Sequence, residues 1–452
     1  MTQTLSRYAN YQAAFQSLDA ATQGSSPSWL RQLRHNAWER FQQLGFPTAR
    51  RGNEKWKYTS VAPIASALFD YSPSPVNAPA VSLSQLGQLV PSAPDWNTLV
   101  FVEGCFAPAL STQPVQGGPV LAGSLAQAAS GQARLVQEHL SRLAKVEDDG
   151  FTALNTAFLQ EGAVVHVPDG AVAPAVVHLV HVAAGSPRPR VIFPRTLIVA
   201  GANSQLTLVE SYVSLSQSRY FTNAVTEIVV GEGAKVDHYR LLLESPEAFH
   251  VGATCVCQGQ DSSFTSGGFF RGAALARNDF QVLMDGTGAF CTLNGLFLTT
   301  DNQHIDHLLN IDHAKPHGAS RLFYKGILGG KSKAVFGGTV LVHKDAQKTD
   351  ARQTDKNLLL SPEAEVDSKP SLLIYADDVK CGHGATAGHI DENTLFYMRS
   401  RGLDLETASR MLIHAFAREV IDTVQPHALQ VFLDVIFSQS LPSASLKFGG
   451  AP

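Results

Sequence analysis

The segment KCGHGATAGHID, Lys380 to Asp391, sets one thiol and two imidazoles within a dozen positions of a chain that has only five cysteines. Read as an extended strand, it projects Cys381 and His383 from one face with Cα atoms roughly 6.6 Å apart, within reach of one metal ion. Gly382 and Gly384 leave room around the pair, and Lys380 stands where it would favour the thiolate, the form that binds iron. Two ligands do not close a tetrahedral shell. Such a site is open, is completed by another subunit or by sulfide, and suits a cluster that must be handed on. The same spacing also occurs in ordinary packed strands, so the context must decide.

Three other constellations compete. DNQHIDHLLNIDHAKPHGASRLFYKG carries His304, His307, His313 and His317, enough imidazole for a zinc-dependent hydrolase. In a strand, however, His307 and His313 share a face with Ile305, Leu309 and Ile311 while His304 faces the other way, which favours stacked or interface histidines over a ligand set. GGKS at Gly329 to Ser332 resembles the end of a phosphate loop, but Lys325 occupies the position that needs the first glycine, and the following KAVFGGTVLV is strand-like where a helix N-terminus is required. ATP hydrolysis by this chain is therefore not expected. Cys255, Cys257 and Cys291 lie in strand-like runs as small hydrophobes, and Cys105 has no companion that assigns it a role.

The elements that position these residues change character along the chain. All four tryptophans fall in the first hundred residues. Residues 1–161 read as an N-terminal helical domain with a connector. Within SPSWLRQLRHNAWERFQQLG, Leu30, Leu33, Ala37, Phe41 and Leu44 recur at helical spacing, with Ser28 as a cap and Gly45 as a stop. In TARRGNEKWKYT, Arg50, Arg51, Lys55 and Lys57 alternate with Trp56 and Tyr58; a solvated basic turn anchored by its two aromatics is preferred to a nucleic-acid patch. Tyr71 to Pro94, rich in Pro, Ser and Ala, reads as a loose connector.

From residue 162 to 384, runs of Val, Leu, Ile, Thr and Phe alternate with turns such as AGANSQLTL from Ala200 and GEGAKVDHY from Gly231. More than two hundred residues of this without amphipathic helices exclude a doubly wound sheet and favour a β-helix, in which each strand pairs with those above and below. Residues 385–452 return to helical spacing. Asp404 is placed as N-cap, Ala408, Met411, Leu412, Ala415 and Phe416 form one stripe, and Leu429, Phe432, Leu433, Ile436 and Phe437 form a broad apolar face after Pro426. So small a terminal unit has little core to absorb that face, which suggests docking on a partner.

Composition narrows the classes. A net charge of −4 on 452 residues favours neither nucleic acid nor an anionic membrane, and no apolar run approaches the roughly 20 residues that span a bilayer. The sparse, odd set of cysteines and the absence of a signal-like start point to a soluble cytoplasmic protein. Charged residues at 16%, against about a quarter in an ordinary globular chain, fit a surface partly covered by other subunits. A β-helix enzyme acting on carbohydrate would need clustered carboxylates in a groove, whereas acids such as Asp377 and Asp378 are few and scattered.

KCGHGATAGHIDENTLFYMRSRGL, residues 380 to 403, resembles the signature of the SufD family of the SUF iron–sulfur cluster assembly machinery, and HIDHLLNIDHAKPHGASRLFYKGIL and RRGNEKWKYT resemble further family segments in the same order. The resemblance implies a mainly β chain, a right-handed parallel β-helix flanked by helical N-terminal and C-terminal domains. It also implies a non-catalytic scaffold that pairs with a SufB-like β-helix subunit and carries a SufC-like ATPase on its C-terminal helices. His383 matches the histidine associated with iron or the nascent cluster at the SufB interface, and Cys381 matches its neighbour. A transient iron–sulfur cluster or iron shared with SufB is the implied cargo, with iron acquisition part of the role. Reduced flavin is associated with the assembled complex, and a homodimer is expected of the isolated chain. Gly382 and His389 depart from the serine and glutamine more usual in the family, and His389 adds a third potential ligand.

Overall fold

The computed structural model describes residues 9–24, 26–49, 53–71, 81–112, 120–186 and 188–440. From Ala163 to Gly388 the chain winds as a parallel β-solenoid, sending successive strands alternately to two ten-stranded sheets. The first sheet runs from Asn97–Val102 through Val177–Ala183, Gln205–Ser214 and later coils to Asp350–Leu359 and Lys380–Gly388. The second runs from Ala163–Val167 to Lys333–Val342 and Glu365–Ile374.

Strand alternation builds the interior. Leu206 and Leu208 align with Val236 and His238, while on the second sheet Phe280 and Val282 align with Leu309 and Ile311. The apolar residues among these join one continuous buried cluster along the solenoid axis. Between coils the turns stack as well. Gly170, Asn203, Gly233, Asp261, Gly288, His317 and Lys348 all take positive φ, and the amide of each donates to a carbonyl in the turn of the next coil, as from Asn203 to Glu232 at 2.7 Å and from His317 to Gln347 at 2.9 Å. Gly, Asn and Asp accept this left-handed conformation readily, so the Gly- and Asn-containing turns of the sequence mark the ladder. His317 is a turn residue and not a member of a histidine face.

The two ends of the solenoid differ. At its start, Cys105–Phe106 pairs antiparallel with Asn97–Val102 and Leu121–Ser124 with Ala163–Val167, which ends each sheet on an antiparallel strand. Besides its helices, the region before residue 162 contributes strands, because NTLVFV at 97–102 alternates like the coils it joins. The other end carries no such cap among the described residues: Glu365–Ile374 and Lys380–Gly388 are the terminal strands of their sheets.

Helices cover the outer faces. Ala9–Thr22, Ser28–Leu44 and Gly150–Ala157 pack through Phe15, Phe41 and Phe151 on Phe221, Phe249 and Leu275 of the second sheet. Pro27, not Ser28, occupies the N-cap of Ser28–Leu44, and Gly45 at φ 62 ends it as its sequence suggests. The connector contains a helix, Leu83–Leu89, started by a reciprocal capping box of Ser82 and Gln85; residues 72–80 lie outside the described set.

The C-terminal helices Glu392–Ser400, Leu405–Ile421 and His427–Ser440 lie on the first sheet. Asp404 caps the second of them by accepting from the Thr407 amide. Its buried stripe is Ala408, Ser409, Ile413, Ala417, Val420 and Ile421, with Met411 and Ala415 exposed, so the stripe expected from the sequence is rotated. Leu429, Leu433 and Phe437 are buried in the cluster that includes Tyr239, Phe269, Leu296 and Ile327 of the solenoid. The face expected to need a partner is therefore largely absorbed within the chain. Lys325 fastens this contact: its Nζ donates to the Phe416 carbonyl and meets Glu419, each at 2.8 Å, and lies 3.9 Å from the Phe416 ring centre. No helix among the described residues is long and apolar enough to cross a membrane.

Candidate functional site

Cys381 and His383 sit on the terminal strand Lys380–Gly388, in parallel register with Ala351 and Gln353 of Asp350–Leu359. Ala351 and Gln353 are buried and Arg352 between them is exposed, so Cys381 and His383 belong to the columns that face the solenoid interior. One column descends through Cys291, Ser320 and Ala351 to Cys381, the other through Leu293, Leu322 and Gln353 to His383. No described strand continues them, and a hollow of about 450 Å³ opens there, lined by Gln353, Cys381 and His383 among others. A Cβ at Gly382 or Gly384 would meet nothing within 4 Å, in keeping with the room expected around the pair.

The two side chains differ in environment. Cys381 is half-buried against the small apolar cluster of Val340, Val342, Ala346, Ala351 and Ala376, whereas His383 is exposed. Burial raises the thiol pKa and the Asp350 carboxylate raises it further, against the opposing hydrogen bond with the Ala351 backbone. The Arg321 hydrogen bond lowers the pKa of Asp350, with Arg352 and Lys380 adding to it, so the charge of Lys380 lies beside Asp350, its partner in register, and the thiol stays above its ordinary pKa. His389 is also excluded as a third ligand. It lies one residue past the strand, six positions and roughly 20 Å of extended chain from His383, and its Nδ1 bonds the Leu359 carbonyl at 2.9 Å.

The four histidines of the 304–317 segment do not converge. His304 faces outward and bonds Thr59 Oγ1 at 2.9 Å, and His317 occupies a turn. His307 is enclosed by the rings of Phe270, Phe297 and Tyr324, at 4.6, 5.1 and 5.2 Å between centres. His313 bonds Ser320 at 2.9 Å. Burial pushes the pKa of His307 down to about 3 and that of His313 to about 4, so both are neutral packing groups. Among the described residues no three His, Cys, Asp or Glu side chains are grouped as a metal site. The zinc-hydrolase alternative loses its ligand set.

GGKS is the turn before the strand Lys333–Val342, with Ser332 bonded to Thr299 at 3.0 Å and Lys331 paired with Glu363 at 3.0 Å. It lacks the helix that phosphate binding requires. Cys255 and Cys291 are buried, and burial pushes the Cys255 thiol up to about 12, consistent with packing roles. The basic segment is a clamp more than a solvated turn. Lys55 meets Asp149 and Asp279 at 3.1 and 3.0 Å, and these carboxylates outweigh the effect of burial and raise its pKa. Trp56 is buried with the Arg277 guanidinium 4.3 Å from its ring centre, Thr59 bonds Asp306, and Glu54 meets Lys369 at 2.9 Å. Only Trp56 anchors as expected, since Tyr58 is exposed; Arg50 and Arg51 lie outside the described residues.

A further polar set lies at the open end, on the strand Asp350–Leu359. Gln353, Asp355 and Asn357 occupy successive inward positions of ARQTDKNLLL, and their alternation with Arg352, Thr354 and Lys356 is the only sequence sign of it. All three are buried.

The SUF system FeS cluster assembly, SufBD core domain family matches residues 181–416, and the SufBD protein N-terminal region family matches residues 5–179. An iron–sulfur cluster assembly SufBD family protein of Synechocystis is 33% identical over 91% of each chain. Iron–sulfur cluster assembly protein SufD of Escherichia coli is 31% identical over 90% of this chain and 93% of its own. The SufD of Bacillus subtilis is 27% identical over 88% and 90%. With an inward thiol–imidazole pair at the uncapped end of a parallel β-solenoid, and these matches spanning most of its length, the chain belongs to the SufBD family of iron–sulfur cluster assembly proteins.

Proposed function

We propose that this SufD-like chain is a non-catalytic scaffold subunit of a SufB–SufC–SufD complex. It contributes to iron acquisition and presents Cys381 and His383 to a nascent cluster shared with a SufB-like β-helix subunit. The observation that carries this reading is the pairing of both residues on one interior-facing edge that no described strand covers. Leu373, Ile374 and Tyr375 beside that edge are exposed at 45%, 39% and 65%, an apolar margin suited to a second solenoid. The half-exposed thiol and open imidazole supply soft and borderline ligands for iron as cargo, with the remaining positions left to sulfide and the partner. Reduced flavin belongs to the assembled complex and is assigned to no residue of this chain.

In the same reading residues 1–161, 162–384 and 385–452 act as an N-terminal unit, the β-helix core and an ATPase-docking unit. The outward faces of the C-terminal helices carry Phe396, Tyr397, Met411, Val431 and Val435, all exposed, as the surface for a SufC-like ATPase. An isolated chain pairs through its uncapped edges as a homodimer, and the working compartment is the cytoplasm. The test is expression of the full assembly with His383→Ala. The expected result is an intact complex with strongly reduced cluster yield; a normal yield removes His383 from the mechanism.

A further inference from the structure

Among the described residues, buried carboxylates follow a rule with one exception. Glu103 faces Arg190, Glu210 bonds His238, Glu227 meets Arg195, Glu244 bonds His250, and Asp279 and Asp306 share Arg277. Each has a cationic or protonatable nitrogen partner, as burial of a charge demands. Asp355 is equally buried and faces none. Its Oδ2 accepts from Asn357 Nδ2 at 2.8 Å and Ser368 Oγ at 2.7 Å, and its Oδ1 has no hydrogen-bond partner.

The groups around it are also unsatisfied. Asn357 Oδ1 and both amide atoms of Gln353 are buried without a partner. Toward the open end the neighbours of Asp355 and Asn357 are small, whereas the preceding strand sets Leu322 and Tyr324 in register with Gln353 and Asp355. Ala385 and Ala387 lie beside Asp355 and Asn357 on the terminal strand, a Cβ at Gly338 would overlap the Gln353 amide, and one at Gly326 would overlap Asn357 Oδ1. Gln353 also lines the hollow shared with Cys381 and His383, which joins this interior set to the uncapped end.

We infer that Gln353, Asp355 and Asn357 form a divalent-cation site inside the open end of the solenoid, one strand behind the thiol–imidazole pair. The donors are one carboxylate and two amide oxygens, the hard set that Mn²⁺, Mg²⁺ and Fe²⁺ accept, and the ion supplies the positive charge that Asp355 lacks. The site stands on its own residues and goes beyond the scaffold reading, since it holds whether or not Cys381 and His383 ligate a cluster.

The test titrates the isolated full-length protein with Mn²⁺ under anaerobic conditions, following free Mn²⁺ by electron paramagnetic resonance, with Fe²⁺ as competitor. One saturable Mn²⁺ per chain is expected, displaced by Fe²⁺. Asp355→Asn, which keeps the shape and removes the charge, is expected to weaken binding at least tenfold. His383→Ala is expected to leave it unchanged. Thermal unfolding is the second readout: Mn²⁺ raises the midpoint of the unmodified protein and not that of Asp355→Asn. Absence of saturable binding, or binding unaltered in Asp355→Asn, overturns the site and leaves ordered water as the occupant. Loss of Mn²⁺ in His383→Ala assigns the ion to the thiol–imidazole pair and also overturns it. A normal cluster yield from His383→Ala would remove His383 from the cluster site and leave this site standing.

Discussion

Cys381 and His383 share one face of the terminal strand, yet the thiol rests on an apolar cluster while the imidazole is open to solvent. Burial is the main cause that raises the thiol's pKa, and the Asp350 carboxylate, across the strand pair, adds to it. The pair is thus prepared asymmetrically, with His383 ready to bind and Cys381 held as a thiol until a metal or partner displaces its proton.

Alkylation of Cys381, followed by peptide mass spectrometry, checks this. Lys380→Ala is expected to leave its rate at pH 8 unchanged, and Asp350→Asn to increase it by about two- to threefold through a larger thiolate fraction. A marked slowing in Lys380→Ala would restore the lysine as the thiolate's support.

Lys325 ties the C-terminal helices to the solenoid through Glu419 and the Phe416 carbonyl. Lys325→Met keeps most of the stem and strands the carbonyl, with an expected loss of about 1–3 kcal/mol. Hydrogen exchange is expected to rise in Leu405–Ile421 and His427–Ser440 while the solenoid strands stay protected. Uniform loss of protection would mean that the contact supports the whole fold.

Stability should decline on acidification. Burial lowers the pKa of His178 and His307 to about 3 and of His181 to about 4, against an ordinary value of 6.5. The unfolded chain then binds more protons between pH 6.5 and those lower values, so stability is full above about 6.5 and falls as pH drops. Each such group contributes up to ~1.4 kcal/mol per pH unit in that window. His307→Leu, which fits the aromatic surroundings, is expected to flatten the dependence of urea midpoint on pH between 6 and 4; an unchanged slope would show that His307 does not take part.

Val431 and Val435 are exposed at 48% each on a helix whose opposite face is buried. Val431→Asp with Val435→Asp is expected to weaken capture of a SufC-like ATPase at least tenfold while leaving the thermal midpoint within about 1–2 °C, since surface substitutions away from the core change stability by less than about 0.5 kcal/mol. Undiminished capture would place the ATPase contact elsewhere.

Much was legible in the residues alone. Two-residue alternation between Gly- and Asn-bearing turns is a local property, because strand faces and left-handed turns depend on the neighbours along the chain; hence the solenoid, the inward His307 and His313, the Asp404 cap and the shared face of Cys381 and His383 could all be read directly. Contacts between coils and across layers could not. Which stripe of Leu405–Ile421 is buried depends on the sheet beneath it, how far the Cys381 thiol is buried and that Asp350 lies near it depend on strand register, and the separation of His389 from His383 depends on the strand running straight between them. The polar set of Gln353, Asp355 and Asn357 became visible only once stacking turned alternate residues of one strand into the wall of an open interior, where a carboxylate without a cation stands apart from the other buried acids among the described residues. Short-range geometry is written in the order of side chains, whereas burial and charge pairing are settled by residues far apart in sequence that folding brings together.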